Sequence, residues 1–134
     1  MVLGQEVAGP LSVVDPAVPR VLVVDDEEPV MLTIQGILEL DGYAVTTTSS
    51  GEHALELLGT QPFDVLLADL RLDDMEGIDL LREARRQSPD IVPIMLTGYA
   101  SLETAVQALR EGAYDYLFKP CDVAELRRWP NTSR

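Results

Sequence analysis

Asp64-Val65-Leu66-Leu67-Ala68-Asp69-Leu70-Arg71 is a short apolar run closed by an acid, and its reading decides the fold. An unbroken apolar run of strand length is what a strand buried on both faces requires, as in a parallel sheet. A carboxylate at the carboxyl end of such a strand stands at the sheet edge where α/β proteins bind ligands. Three other segments share this form. Residues 21–24 end in Asp25-Asp26, residues 91–96 in Thr97-Gly98, and residues 114–118 in Lys119-Pro120. If the four are parallel neighbours, Asp25, Asp26, Asp69, the Thr97 hydroxyl and the Lys119 ammonium converge at one edge.

Outward from this strand the pattern repeats. Residues 20–24 read as a strand, Asp25-Asp26-Glu27-Glu28 as the loop beyond it, and Pro29 suits the first turn of a helix. Val30, Met31, Ile34, Ile37 and Leu38 recur at helical spacing until Asp41-Gly42 stops the run. Residues 43–48 are rich in β-formers. A helix over residues 51–58, with Ala54, Leu55 and Leu58 inward, leads through Pro62 to the central strand at 64–68. A third helix at 78–87 carries Ile78, Leu81 and Ala84 on one stripe, and residues 91–96 form the fourth strand. The next helix starts at Ser101, with Glu103 or Thr104 near its free amides, and Gly112 closes it. Its expected inward stripe is Leu102, Ala105, Val106 and Leu109. A fifth strand at 114–118 and a short last helix at 122–128, cut by Pro130, complete the chain. Such alternation demands a doubly wound parallel sheet with helices on both faces and right-handed crossovers. The expected organisation is one domain at 20–129, a loose extension at 1–19 holding Pro10, Pro16 and Pro19, and a tail at 130–134.

The totals agree. A chain of 134 residues, 46% hydrophobic, suits one domain with a sizeable core. No apolar run approaches the roughly 20 residues that span a bilayer. Residues 1–20 lack the basic start and compact apolar core of a signal peptide. A single Cys leaves no internal disulfide and fits a cytoplasmic protein. The net charge of −13 argues against direct binding to nucleic acid or an anionic membrane. It leaves room for cations, metal ions and basic partner surfaces.

Three carboxylates brought together without a cation repel one another and raise one another's pKa. A hard divalent ion relieves that, and Mg²⁺ suits the set because it uses one or two carboxylates with water and a phosphate oxygen. The same acids would otherwise be a solvated loop with helix-capping duties. Held by a metal, Asp69 could attack a phosphoryl group and form a mixed anhydride. Lys119 would supply fixed positive charge and Thr97 a hydroxyl donor to the same oxygens. Tyr116 reads equally as core packing. His53, beside Glu52 on the second helix, reads as solvent-facing, and Cys121 as a small apolar residue opening the last helix.

Val23-Val24-Asp25-Asp26-Glu27, Leu67-Ala68-Asp69-Leu70-Arg71-Leu72, Leu96-Thr97-Gly98-Tyr99 and Tyr116-Leu117-Phe118-Lys119-Pro120 resemble the four signature segments of response regulator receiver domains. The resemblance covers residues 20–128 in the family's order and spacing. It implies the strand order 2-1-3-4-5 of a flavodoxin-like receiver fold. It implies Asp69 as the phosphoacceptor, phosphorylated by a partner histidine kinase or phosphotransfer protein. Asp26, Asp69 and the backbone carbonyl of Arg71 would ligate Mg²⁺, with Asp25 acting through water. Thr97 and Lys119 would bind phosphoryl oxygens, Tyr116 would be the aromatic switch residue, and the Lys119-Pro120 bond would be cis.

Two departures from the pattern stand out. Asp73 occupies the place, four residues after the phosphoacceptor, where the family usually has Pro; a looser loop and an added charge are expected. The last helix is short, which bears on dimerisation, because the fourth helix, fifth strand and last helix form the family's usual output surface. No stretch after Arg128 is long enough for an output domain, so the sequence reads as a stand-alone receiver or one cut from a longer protein, acting on an output domain or target protein. Residues 96–120 look most like receivers that precede ATPase-type transcriptional activators or are joined to sensor kinases.

Rival readings fare less well. A flavin-binding module would need a glycine- or hydroxyl-rich phosphate loop after the first strand, where Asp25 to Glu28 stand. An aspartate-nucleophile phosphatase typically carries a second acid two residues after the nucleophile, the place of Arg71. A receiver-like scaffold that binds partners without phosphorylation is the remaining alternative, although every acid, Thr and Lys position is intact.

Overall fold

The structure is a computed structural model and describes residues 18–98 and 101–119. Five parallel strands, β1 (Arg20–Val24), β2 (Ala44–Thr48), β3 (Val65–Asp69), β4 (Val92–Thr97) and β5 (Asp115–Phe118), lie in the order β2-β1-β3-β4-β5. Helices α1 (Glu28–Leu40), α2 (Gly51–Thr60), α3 (Gly77–Gln87) and α4 (Leu102–Arg110) alternate with them. The doubly wound sheet and its strand order are those expected. The expected extension before residue 18, Tyr99, Pro120 and its bond to Lys119, Cys121 and the last helix all lie outside the described residues. Among the described residues no helix is long and apolar enough to cross a membrane.

Every residue of β3 is buried, which accounts for its unbroken apolar run. Successive strand side chains point to opposite faces, so the run divides between two cores. Val21, Val23, Val65, Leu67, Ile94 and Leu96 pack with Met31, Ile34 and Leu38 of α1. Leu22, Val24, Leu66 and Ala68 pack on the other face with Ala54 and Leu58 of α2 and Leu80 and Ala84 of α3. The helix boundaries follow local chemistry. Ser50 Oγ accepts from the His53 amide and Ser101 Oγ from the Thr104 amide, each at 3.1 Å, capping α2 and α4. Gly42 and Gly112, with φ of 93° and 104°, take the left-handed turns after α1 and α4.

One expectation is overturned. The stripe Leu102, Ala105, Val106 and Leu109 does not face inward: Leu102 is 82% exposed, Leu109 51% and Val106 38%. Helix α4 packs instead through Ala108, which is buried against Leu81 and Met95, with Ala105 half-buried. Small side chains let the helix lie close to the sheet, which turns the larger apolar residues outward. Period 3.6 marks an apolar face but not what covers it.

Candidate functional site

The register sets the site. Val24 pairs with Ala68, so Asp25 and Asp69, one residue further on, stand level at the carboxyl ends of β1 and β3. Asp69 pairs with Leu96 and Thr97 with Phe118, which brings Thr97 and Lys119 to the same edge. Asp25, Asp69 and Thr97 are all buried.

Lys119 closes the group. Its amide donates to the Thr97 carbonyl at 2.8 Å, and its side chain passes Gly98 to return to β1 and β3. Nζ donates to Asp69 Oδ2 at 2.9 Å and to Glu27 Oε1 at 2.7 Å. Asp25 Oδ2 lies 2.9 Å from Nζ, within ion-pair distance but off the hydrogen-bonding direction. The remaining oxygens are also engaged. Asp25 Oδ1 accepts from the Glu27 amide at 2.8 Å, and Asp69 Oδ1 from the Arg71 amide at 3.2 Å.

Burial pushes the Asp25 carboxyl above its ordinary value, against the pull of Lys119 and the Glu27 amide. Burial also works to lower the Lys119 pKa, but the three carboxylates around it outweigh this and hold the ammonium above its usual range. Asp26 is half-buried and its carboxyl is raised, first by burial and then by the charge and hydrogen bond of Asp73. Asp26 thus stands at the margin of the group, beside Asp73.

Beyond β3 the chain folds back on itself. Arg71 and Glu76 form an isolated antiparallel bridge, with hydrogen bonds from Leu72 N to Met75 O and from Gly77 N to Leu70 O. Gly77 is required: a Cβ there would fall inside contact distance of the Asp69 carbonyl oxygen, and 2.8 Å from Leu70 Cα. Asp73 brings the extra charge expected of it, but the loop is anchored. Asp74 Oδ1 accepts from Gly51 N, and its Oδ2 from Glu52 N and Ser50 Oγ, at 2.9–3.1 Å. Met75 lies where a Cβ on Gly51 would go.

Tyr116 is half-buried, its hydroxyl 2.7 Å from Thr104 Oγ1 and its ring edge-on to Phe118 at 5.6 Å. His53 is exposed as expected, with Nδ1 2.8 Å from Thr48 Oγ1. Sequence reasoning gave Glu27, Asp74 and Gly77 no role and took Thr104 only as a partner for the free amides of the fourth helix. A Gly opening α3 after the acidic loop that follows β3 is the one available signal.

Carboxylate oxygens of Asp25, Glu27 and Asp69 lie within 4.8 Å of one another. These are hard donors, and in number and type they fit a small hard divalent cation such as Mg²⁺.

Comparison with known proteins places this architecture. The model described as the response regulator receiver domain matches residues 21–129. The alginate biosynthesis transcriptional regulatory protein AlgB of Pseudomonas aeruginosa is 43% identical over 108 residues, 81% of this chain. The chain spans only 24% of that relative's length. A receiver domain protein (CheY-like) from Methanospirillum hungatei superposes with a TM-score of 0.82 at 35% identity, covering 87% of this chain and 93% of that one. A response regulator from Burkholderia pseudomallei, solved with a phosphorylated aspartic acid, calcium ion and citrate, gives 0.77 at 38% identity, covering 81% and 64%. The chain belongs to the response regulator receiver domain family.

Proposed function

We propose that residues 20–129 act as a phosphorylation-activated switch in a cytoplasmic two-component system. In this reading Asp69 accepts a phosphoryl group from a sensor histidine kinase or phosphotransfer protein, and the α4–β5 face passes the change to an output domain or target protein. The supporting observation is the buried Asp69 at a strand end with one oxygen 2.9 Å from the Lys119 ammonium. An Asp69 oxygen attacks phosphorus, the P–N bond of the donor phosphohistidine breaks, and its electron pair stays with the imidazole nitrogen. Lys119 neutralises oxygen charge on the transferred group, and the Thr97 hydroxyl donates to another of its oxygens. Mg²⁺ held by Asp26, Asp69 and the Arg71 carbonyl, with Asp25 acting through water, would supply further charge neutralisation. The domain catalyses its own phosphoryl transfer and loss and no other reaction. The Burkholderia relative with its phosphorylated aspartic acid and calcium ion supports the acceptor and cation roles.

Thr97 drawn toward the phosphoryl group moves the loop after β4 and lets Tyr116 turn inward. Shifting a two-state equilibrium from 1:99 to 99:1 takes about 5.5 kcal/mol. A few charge-assisted hydrogen bonds, each about 1.5–3 kcal/mol, are of that order. The exposure of Leu102, Val106 and Leu109 on α4 and of Tyr114 and Phe118 beside and on β5 supports this face as the contact surface for a partner or a second copy.

The test is intact mass after incubation with acetyl phosphate, with and without Mg²⁺. A metal-dependent gain of roughly 80 Da that Asp69→Asn lacks is expected. Labelling that persists in Asp69→Asn would refute the acceptor assignment, and no labelling at all would favour a phosphorylation-independent scaffold.

A further inference from the structure

Glu27 has no role in the phosphoryl transfer proposed above, although its carboxylate belongs to the acidic group that fits a cation, and it makes the shortest of the three contacts to Lys119. It occupies the N-cap position of α1, but its side chain makes no capping bond. N-caps are normally Ser, Thr, Asp or Asn, whose short side chains reach the first free amides. Its backbone is pinned, with its amide donating to Asp25 Oδ1 at 2.8 Å and its carbonyl accepting from Met31 N at 3.0 Å. From that fixed point the carboxylate turns away from its own helix and spans 92 positions of sequence to Lys119.

The three acids on the ammonium differ in freedom. The side chains of Asp25 and Asp69 are 0% and 9% exposed, whereas that of Glu27 is 59% exposed. Asp69 Oδ2 and Glu27 Oε1 accept two of the ammonium's three protons, and Asp25 Oδ2 stands against it at 2.9 Å. A phosphoryl oxygen on Asp69 that seeks this ammonium therefore competes with the carboxylates already around it. Glu27 can leave into water, while neither buried acid can do so without unfolding a strand end. Resting on the receiver reading, we propose that Glu27 is a displaceable latch on Lys119, holding the ammonium until a phosphoryl oxygen replaces it. Glu27 thereby sets how readily Asp69 is modified. An exposed ion pair of this kind corresponds to about a two- to fivefold change in an equilibrium.

Two variants test the latch. Glu27→Ala removes the carboxylate. Glu27→Asp keeps the charge on a side chain one methylene shorter, which the free amides of α1 would draw into a cap. Binding of beryllofluoride, a stable phosphoryl mimic, is followed by fluorine NMR, and labelling by subsaturating acetyl phosphate by intact mass. Both variants should gain about two- to fivefold in affinity and in labelling rate over wild type. A gain in Glu27→Ala alone, with Glu27→Asp matching wild type, would mean that charge at the mouth repels the donor and would overturn the latch. No gain in either, or a loss in both, would overturn it too and make Glu27 a supporting ligand. Wild type that takes up neither reagent would overturn the receiver reading itself, an outcome distinct from any ratio between variants.

Discussion

The phenol of Tyr116 and the hydroxyl of Thr104 stand 2.7 Å apart, tying the half-buried aromatic of β5 to the first turn of α4. Thr104 Oγ1 also donates to the Ser101 carbonyl at 3.1 Å, so Tyr116 is bonded through one hydroxyl to the start of the helix. That bond opposes any inward turn of the ring. A neutral hydrogen bond contributes about 0.5–1.5 kcal/mol, a factor of roughly two to ten in a rotamer equilibrium. Thr104→Val, similar in shape but without the hydroxyl, should raise the inward population of Tyr116 by about that factor before any phosphorylation. Tyr116 ring shifts and β5 amide shifts in NMR report it. Spectra unchanged in this region would show that packing against Phe118, not the bond, holds the ring.

Asp74 links the β3–α3 loop to α2 through the Gly51 and Glu52 amides and the Ser50 hydroxyl. The Glu52 and Gly51 amides hold its carboxyl below the ordinary carboxylate value. Asp74→Ala loses the equivalent of a helix cap and should cost about 0.5–2 kcal/mol in urea unfolding near neutral pH. A carboxyl with a depressed folded-state pKa contributes its full stability above the unfolded-state value and loses it as pH falls through the folded one. The deficit relative to wild type should therefore shrink as pH falls below the ordinary carboxylate range. A deficit independent of pH would assign the effect to loop packing around Met75 instead.

At Gly77, the atoms that a methyl group would meet include the Asp69 carbonyl oxygen and Leu70 Cα, both backbone of β3 and the turn after it. Neither can yield as a flexible side chain would. Gly77→Ala should cost about 1–3 kcal/mol of stability, the usual range for overpacking. It should also slow Asp69 labelling, because the strand end carrying the acceptor has to shift. Lost stability with normal labelling would show that α3 gives way and β3 does not.

Much of this was legible in the sequence because it depends on short-range pattern. The apolar run ending in Asp69 specifies a doubly buried strand, and the parallel register of strands that each end in a polar residue brings Asp25, Thr97 and Lys119 to one edge. The contacts that escaped depend on tertiary placement. Asp74 reaches amides more than twenty positions away, and Glu27 reaches Lys119 across 92. No local pattern distinguishes such acids from the others in a chain with 23 Asp and Glu. Helix α4 failed for another reason. Its large apolar residues lie on one stripe, but the sheet takes the small side carrying Ala108, and hydrophobic spacing cannot report which neighbour a face awaits.

Lys119 compensates two buried acids, so its removal tests the electrostatics of the whole edge. Taking one partner from a buried ion pair costs up to about 3–5 kcal/mol. In Lys119→Ala, Asp25 and Asp69 face each other without the ammonium, and the Asp25 carboxyl, already raised by burial, rises further. An acid whose folded-state pKa exceeds its unfolded value destabilises the fold while ionised. That penalty is relieved as pH falls through the folded pKa. The variant should therefore be markedly less stable than wild type at mildly alkaline pH in chelator and regain part of the difference at acid pH, as the raised Asp25 carboxyl takes up its proton. Added Mg²⁺ should stabilise it more than it stabilises wild type, since a cation that binds only the folded state replaces the missing charge. Some labelling of Asp69 should survive, while the phosphorylation-dependent shifts along α4 and β5 should be lost. Urea titrations at the two pH values check the sign. An equal deficit at both would mean that Lys119 stabilises through the packing of its methylene stem, and the buried acids would then need another source of compensation.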